Sequence, residues 1–172
     1  MSKTEIVIET SEGSIQAQLD GEKAPITVQN FLAYIEKEHF SNTIFHRVIP
    51  GFMIQGGGFD TEFSQKPTAD AIKIEADNGL KNTKGTLAMA RTQDPNSATA
   101  QFFINLVDND FLNYTAPNMQ GWGYTVFSEV TSSMDIVEKI GKVKTATRGM
   151  HQDVPVDDVI IKSITVSKPS QD

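Results

Sequence analysis

The chain has 172 residues, 38% hydrophobic and 22% charged, a composition typical of one globular domain with an apolar core. Acidic residues outnumber basic ones by 22 to 15, so the net charge is −7, and no basic stripe offsets it. Nucleic acid and anionic membrane surfaces are therefore not expected as partners. The chain has no cysteine, which excludes disulfides, thiolate zinc sites and cysteine nucleophiles.

The ends of the chain suggest a location and a domain boundary. No apolar run near Met1 has the length of a signal peptide, and no stretch reaches the roughly 20 apolar residues of a membrane helix. We therefore expect a cytoplasmic protein. A single domain is predicted over residues 1–168, with a short polar tail over 169–172.

The first elements are a β-hairpin and a helix. Two runs of alternating apolar and polar residues flank a turn at Ser11-Glu12-Gly13, and they predict two strands with one buried face. The inward residues are Ile6, Ile8, Ile15, Ala17 and Leu19. After Pro25, the apolar residues have helical spacing, which predicts an amphipathic helix. Its apolar residues are Val28, Phe31, Leu32 and Ile35.

Short strands interrupted by turn residues dominate the remainder. They are predicted at 43–49, 52–55, 71–75, 86–90, 101–106, 124–130 and 159–166. A second helix is predicted after Ser133 and ends at Gly141, with Ser132 and Asp135 at the spacing of a capping box. The edge strands of a sheet of about eight antiparallel strands have unpaired backbone groups, and closure into a barrel capped by the helices would pair them.

The usual signatures of covalent, metal and nucleotide chemistry do not occur. His39, His46 and His151 lack the spacing of a metal site. No Gly-x-Ser-x-Gly motif is present, and the glycines at 56–58 lack the spacing of a phosphate loop. We therefore expect a protein that works without a cofactor or metal.

Two segments are unusual for a plain barrel. Arg47 lies within the apolar run at 45–57, where an arginine is costly to bury unless it has a partner or a function. In the segment 98–105, strand alternation places Phe103 on the face opposite Phe102 and Ile104, beside the amide of Gln101. A large aromatic on the outer face next to polar groups favours a binding groove.

These segments resemble the cyclophilins. The resemblance is carried by the run FHRVIPGFMIQGG at 45–57 and by QFFI at 101–104, with support from 85–90 and 126–130. It extends from the first hairpin to the last strand. It implies a mainly β fold, a closed eight-stranded antiparallel barrel capped by two α-helices, with an active groove on its outer surface. The implied activity is peptidyl-prolyl cis–trans isomerisation.

The resemblance also implies the site residues. It assigns catalysis to Arg47, Phe52 and Gln55. It assigns substrate binding to Met53, Ala90, Gln101, Phe103, Phe111, Leu112 and Tyr124.

At four positions the sequence differs from many eukaryotic cyclophilins and resembles the bacterial cytoplasmic type. Phe111 and Tyr124 stand where those members have Trp and His, and Arg91-Thr92 replace Asn-Ala. The departures imply weak binding of cyclosporin, a ligand of the family. Trp122 lies nearby but does not match the missing Trp.

The expected substrates are X-Pro peptides and unfolded or flexible protein segments, and the expected state is a monomer. Arg47 suits a non-covalent mechanism, because a permanently charged donor can stabilise the twisted amide. One alternative is a proline-peptide binding module without activity, against which the presence of Arg47 argues. Another is a barrel that encloses a small apolar ligand, against which the large inward residues argue.

Overall fold

The computed structural model describes residues 3–167, and most of its regular structure is antiparallel β-sheet. The strands are β1 (Lys3–Thr10), β2 (Gly13–Asp20), β3 (Thr43–Ile44), β4 (Arg47–Ile49), β5 (Met53–Gly56), β6 (Thr86–Met89), β7 (Phe102–Asn105), β8 (Val126–Ser132), β9 (Thr145–Arg148), β10 (His151–Pro155) and β11 (Ile160–Val166). The helices are α1 (Pro25–Glu36), α2 (Met134–Ile140) and a 3₁₀ turn at Asp110–Leu112. The predicted tail at 169–172 lies outside the described residues.

Nine strands form one curled sheet in the order β3-β11-β1-β2-β8-β6-β7-β5-β4, and β9 and β10 form a separate hairpin. The two edge strands, β3 and β4, are separated in the chain only by Phe45 and His46. Three Cα–Cα steps of about 3.8 Å keep Ile44 and Arg47 within about 11 Å, so the sheet must curl back on itself. Within residues 3–167 no strand pairing joins β3 to β4. The mainly β class with two helices is confirmed, whereas closure as an eight-stranded barrel is not.

Large side chains fill the inside of the curled sheet. The inward residues predicted for the first hairpin are all fully buried. They pack with five buried phenylalanines, Phe31, Phe40, Phe45, Phe102 and Phe127. The ring of Phe31 lies 5.5 Å from that of Phe102 and 5.0 Å from that of Phe127. This packing agrees with a filled interior and disfavours a barrel that encloses a ligand.

The first helix is confirmed, but the strand predicted at 71–75 is wrong. Glu75 accepts hydrogen bonds from the backbone amides of Ile26 (3.1 Å) and Thr27 (2.8 Å), so its carboxylate caps α1. The backbone amide of Ile74 donates to the side chain of Asn96. The backbone amides of Ile74 and Glu75 therefore bond to loop side chains rather than to a neighbouring strand, and a single bridge joins Ile72 to Ala98.

The second helix is also confirmed and begins after Ser133, as predicted, but its N-terminal capping differs from the prediction. Its N-cap is Ser133, which is left-handed (φ 72°) and makes no side-chain capping bond, so the capping box from Ser132 to Asp135 is wrong. Gly141 is the C-cap, as predicted. The β9–β10 hairpin was not predicted. Among the described residues, no helix is long and apolar enough to cross a membrane.

Candidate active site

The strand register places a row of four side chains across the outer face of the sheet. Arg47 on β4 faces Gln55 on β5, Gln55 faces Phe103 on β7, and Phe103 faces Ala88 on β6. Directly opposite residues of an antiparallel pair project from the same face. The row therefore brings an arginine, an amide and an aromatic ring together from four separate parts of the chain.

The neighbouring row confirms which face is inside. Val48 faces Ile54, Ile54 faces Ile104, and Ile104 faces Leu87. All four of these side chains are fully buried in the main core. Because the side-chain period of a strand is two, burial of this row fixes the Arg47 row on the outer face.

Beside the outer row lies a cavity of about 140 Å³. It is lined by Arg47, Phe52, Met53, Gln55, Ala90, Arg91, Phe103, Leu112 and Tyr124. Its apolar walls belong to a second hydrophobic cluster on the outer side of the sheet, which includes Met53, Phe103 and Leu112. Sites for drug-sized ligands usually measure about 300–1,000 Å³, so this cavity suits a single small ring.

Eight of the ten residues assigned from the sequence line this cavity, and Gln101 and Phe111 do not. The Gln55 side-chain amide donates to the side-chain oxygen Oε1 of Gln101 at 2.9 Å, so Gln101 contacts a residue that lines the cavity. The ring of Phe111 is 74% exposed and stacks on Phe52 with 5.7 Å between centroids. Neither residue lines the cavity, but each contacts a residue that does.

Arg47 has free hydrogen-bond donors. Its side chain is exposed on the edge strand β4, and within residues 3–167 its guanidinium makes no hydrogen bond or ion pair. The alternative in which Arg47 is a salt-bridged structural residue is therefore not supported. A guanidinium carries its charge at all ordinary pH values, so these donors are permanently available to a ligand.

Arg91 also lines the cavity, although it was not predicted to be a site residue. Its Nε donates to the carbonyl of Gly123 at 2.9 Å, and its guanidinium lies 4.6 Å from the centroid of the Tyr124 ring. Tyr124 in turn meets Phe103 edge-on at 5.7 Å. Arg91 therefore buttresses one wall of the cavity.

A cluster of buried amides beneath the cavity was not foreseen. Asn105, fully buried, donates to the side-chain oxygens of Asn82 (3.1 Å) and Thr86 (3.0 Å), and accepts from Asn109 (2.8 Å). The cluster continues to the walls of the cavity. Asn109 donates to the carbonyl of Phe52 at 3.0 Å, and Asn82 donates to the carbonyl of Leu112 at 3.1 Å. Asn105 ends β7, and its partners lie before β6, at the start of β6 and just after β7.

The glycine run behind Gln55 leaves room for site side chains. A Cβ at Gly58 would overlap the side chain of Gln101, and one at Gly56 would press on the carbonyl of Ile44. Gly57 has φ +94°, a conformation that favours glycine. The run is thus explained by close approach as well as by turn geometry.

Two of the histidines are buried. His39 lies in the turn after α1 and is buried, and its Nε2 bonds to the carbonyl of Gly57 at 3.0 Å. Burial, with smaller contributions from the charges of His151 and Arg47, lowers the pKa of His46 to about 4. Within the described part of the chain, no group of three or more His, Asp or Glu side chains could hold a metal ion.

Comparison with known proteins identifies relatives over nearly the whole chain. Residues 5–166 match the family model described as cyclophilin type peptidyl-prolyl cis-trans isomerase/CLD. The chain is 61% identical to peptidyl-prolyl cis-trans isomerase B of Escherichia coli strain K12, covering 95% of this chain and 99% of that protein. It is 54% identical to peptidyl-prolyl cis-trans isomerase cyp18 of Streptomyces antibioticus, covering 94% and 97%. A crystal structure of a Cryptosporidium parvum cyclophilin in the presence of the dipeptide Ala-Pro is 26% identical, with a TM-score of 0.76, and covers 96% and 99%.

Proposed function

Because the chain belongs to the cyclophilin-type peptidyl-prolyl cis–trans isomerases, we propose that the cavity beside Arg47 holds the proline ring while the X-Pro bond rotates. The chain is a peptidyl-prolyl cis–trans isomerase, an activity that its relatives share by name. One observation carries the placement of the reaction. The guanidinium of Arg47, unpaired within residues 3–167, borders a cavity of the size of one ring, whose walls include Phe52, Met53, Phe103 and Leu112.

Arg47 supplies the group that the reaction needs. Rotation of a peptide bond loses amide resonance and has a barrier of about 18–20 kcal/mol. In the twisted state the proline nitrogen recovers a localised lone pair, which the planar amide lacks. A donor directed at that nitrogen therefore binds the transition state better than either ground state. No covalent bond breaks, so neither a nucleophile nor a general base is required.

The apolar walls hold the ring and exclude water. Phe52, Met53, Phe103 and Leu112 would contact the pyrrolidine ring, with Tyr124 closing one side. Exclusion of water lowers the local dielectric constant and strengthens the interaction with Arg47. It also favours the twisted amide, which is less polar than the planar one.

Polar groups beside the ring would fix the peptide backbone. Gln55, aligned by Gln101 at 2.9 Å, can anchor one side of the bond while the other side turns. Ala90 would contact the residue before the proline. Phe111, exposed and stacked on Phe52, would extend the apolar surface along the bound peptide.

The substrates on this proposal are X-Pro peptides and unfolded or flexible protein segments. The Cryptosporidium parvum cyclophilin was crystallised in the presence of Ala-Pro, which supports proline dipeptides as the minimal ligand class. Weak cyclosporin binding, a monomeric state and a cytoplasmic location stay predictions from the sequence.

The decisive test compares Arg47→Ala with a matched control, Arg148→Ala. Arg148 is a partly exposed arginine of β9 that does not line the cavity and pairs with Asp158 at 3.5 Å. We expect Arg47→Ala to lower kcat/KM for an Ala-Pro peptide by about 10²–10³-fold, the usual loss for one transition-state donor. Arg148→Ala should retain wild-type activity.

Two further readouts separate the alternatives. Peptide binding, measured by calorimetry, should survive in Arg47→Ala, because recognition of the ring does not need the donor. A wild-type chain that binds X-Pro peptides but leaves their isomerisation rate unchanged would be a binding module. A correctly folded Arg47→Ala enzyme of normal activity would remove Arg47 from the mechanism.

A further inference from the structure

Arg91 lies where three cavities meet. It lines the proline cavity, a second cavity of about 520 Å³ beside Phe111, and a third of about 300 Å³ beside Gln101. We call the three together the groove. A peptide whose proline occupies the first cavity must place its adjacent residues in the other two, and therefore beside Arg91.

The groove has a charge opposite to that of the whole chain. Its lining contains two arginines, Arg47 and Arg91, and no aspartate, glutamate or lysine. The chain itself has a net charge of −7, and other clefts contain carboxylates, such as Asp157 and Asp158 beside β10. The closest acidic residue along the same loop, Asp94, accepts a bond from the amide of Asn96 and does not line the groove. The acidic residues are thus kept away from this surface.

The Arg91 guanidinium is held in place by neutral groups. Its Nε donates to the carbonyl of Gly123 at 2.9 Å, and its Nη1 donates to the carbonyl of Thr92 at 2.8 Å. Its flat face lies 4.6 Å from the centroid of the Tyr124 ring. These contacts fix the side chain without neutralising its charge. Within residues 3–167 its Nη2 makes no hydrogen bond, so one pair of donors remains open.

We propose that Arg91 makes the enzyme favour X-Pro substrates that carry an aspartate or glutamate side chain one or two residues before the proline or one residue after it. This inference rests on the proposed function, because it assumes that the peptide lies in the groove. Arg47 is directed at the twisted amide, so Arg91 is the cation left to meet a side chain. A fixed guanidinium with free donors matches a carboxylate in geometry and in charge.

The experiment measures a ratio within each enzyme. Pairs of peptides that differ only by Glu against Gln at one position are assayed. That position is one residue before the proline, two residues before it, or one residue after it. We expect kcat/KM to be about two- to fivefold higher for Glu than for Gln at the preferred position, the range of an exposed ion pair. The ratio should fall toward one as salt is raised. Because the ratio is taken within one enzyme, partial loss of fold or activity in a variant cancels.

Three variants of Arg91 and one control define the outcome. Arg91→Lys should keep a ratio above one, Arg91→Gln should bring it to one, and Arg91→Glu should invert it. Arg148→Gln, outside the groove, should leave it unchanged. A wild-type ratio of one at all three positions, or a ratio that persists in Arg91→Gln, would refute the inference alone. A wild-type chain inactive on the Gln peptides would instead refute the proposed function, and this inference with it.

Discussion

Replacing Asn105 by leucine tests whether the buried amide cluster supports the active site. The substitution keeps the branched shape and the number of heavy atoms of the side chain but removes three hydrogen bonds of 2.8–3.1 Å. It leaves the side-chain oxygen of Asn82 and one N–H of Asn109 without their partner in the protein interior. Each such group costs about 1–3 kcal/mol, so the free energy of unfolding should fall by about 2–6 kcal/mol.

The kinetic effect follows from what the cluster holds. Asn109 fixes the carbonyl of Phe52 and Asn82 fixes that of Leu112, so both apolar walls should loosen. Arg47 lies on β4, and within residues 3–167 it makes no hydrogen bond with the cluster. We therefore expect KM for an X-Pro peptide to rise more than kcat falls.

Thermal unfolding and isomerisation kinetics check the two effects together. The melting temperature should fall by at least about 4 °C, since 1 kcal/mol is worth about 2–4 °C in a domain of this size. Gln16→Leu is the control, because Gln16 is exposed on β2 and its amide makes no hydrogen bond among the described residues. Unchanged melting in Asn105→Leu would show that the cluster does not stabilise the fold. Destabilisation with kcat reduced and KM unchanged would contradict its role at the walls.

Two further predictions concern His46 and Gly58. The pKa of His46 is about 4 in the fold against 6.5 ordinarily, so between these values the unfolded chain binds more protons and stability rises with pH. The free energy of unfolding reaches its full value above about pH 6.5 and falls by about 3 kcal/mol as the pH approaches 4. In His46→Phe, urea unfolding should show a smaller fall of this free energy over the same pH range. An equal fall would contradict the burial argument. Gly58→Ala should displace Gln101, break its 2.9 Å bond with Gln55 and lower kcat/KM by about two- to tenfold with little change in stability. If the effect acts through Gln101, adding Gly58→Ala to Gln101→Ala should cause no further loss of kcat/KM in a double-mutant cycle. Fully additive losses would show that Gly58→Ala does not act through Gln101.

The period-two pattern of the sequence predicted which side of the sheet each strand residue faces. It placed Phe102 and Ile104 inside, and both are fully buried. It placed Phe103 outside, and Phe103 does lie on the outer face, but it is only 5% exposed. Leu112 and Tyr124, from the segment between β7 and β8, cover it. Alternation specifies a face, whereas coverage of that face depends on contacts that no local pattern encodes.

The wrong predictions share a cause. Ile72 and Ile74 alternate like strand residues, yet their backbone amides bond to Ala98 and Asn96 across a loop. The β9–β10 hairpin, in contrast, is largely exposed and has little apolar alternation to reveal it. In both cases the hydrogen-bond partner of the backbone decided the structure, and the apolar pattern reports burial rather than partners.

The active site divides between two supports, and this division has a kinetic consequence. Arg47 and Phe103 are fixed by the register of the sheet, since Gln55 pairs with both. Leu112 is fixed by the amide cluster beneath the cavity. On the proposed mechanism, changes at Arg47 would remove a transition-state donor and should lower kcat, whereas changes in the cluster would loosen recognition of the ring and should raise KM. If Arg47→Ala and Asn105→Leu instead changed the same parameter, kcat or KM, to an equal extent, the sheet and the amide cluster would have to act as one unit. The separate hydrogen-bond partners of the two supports argue against that.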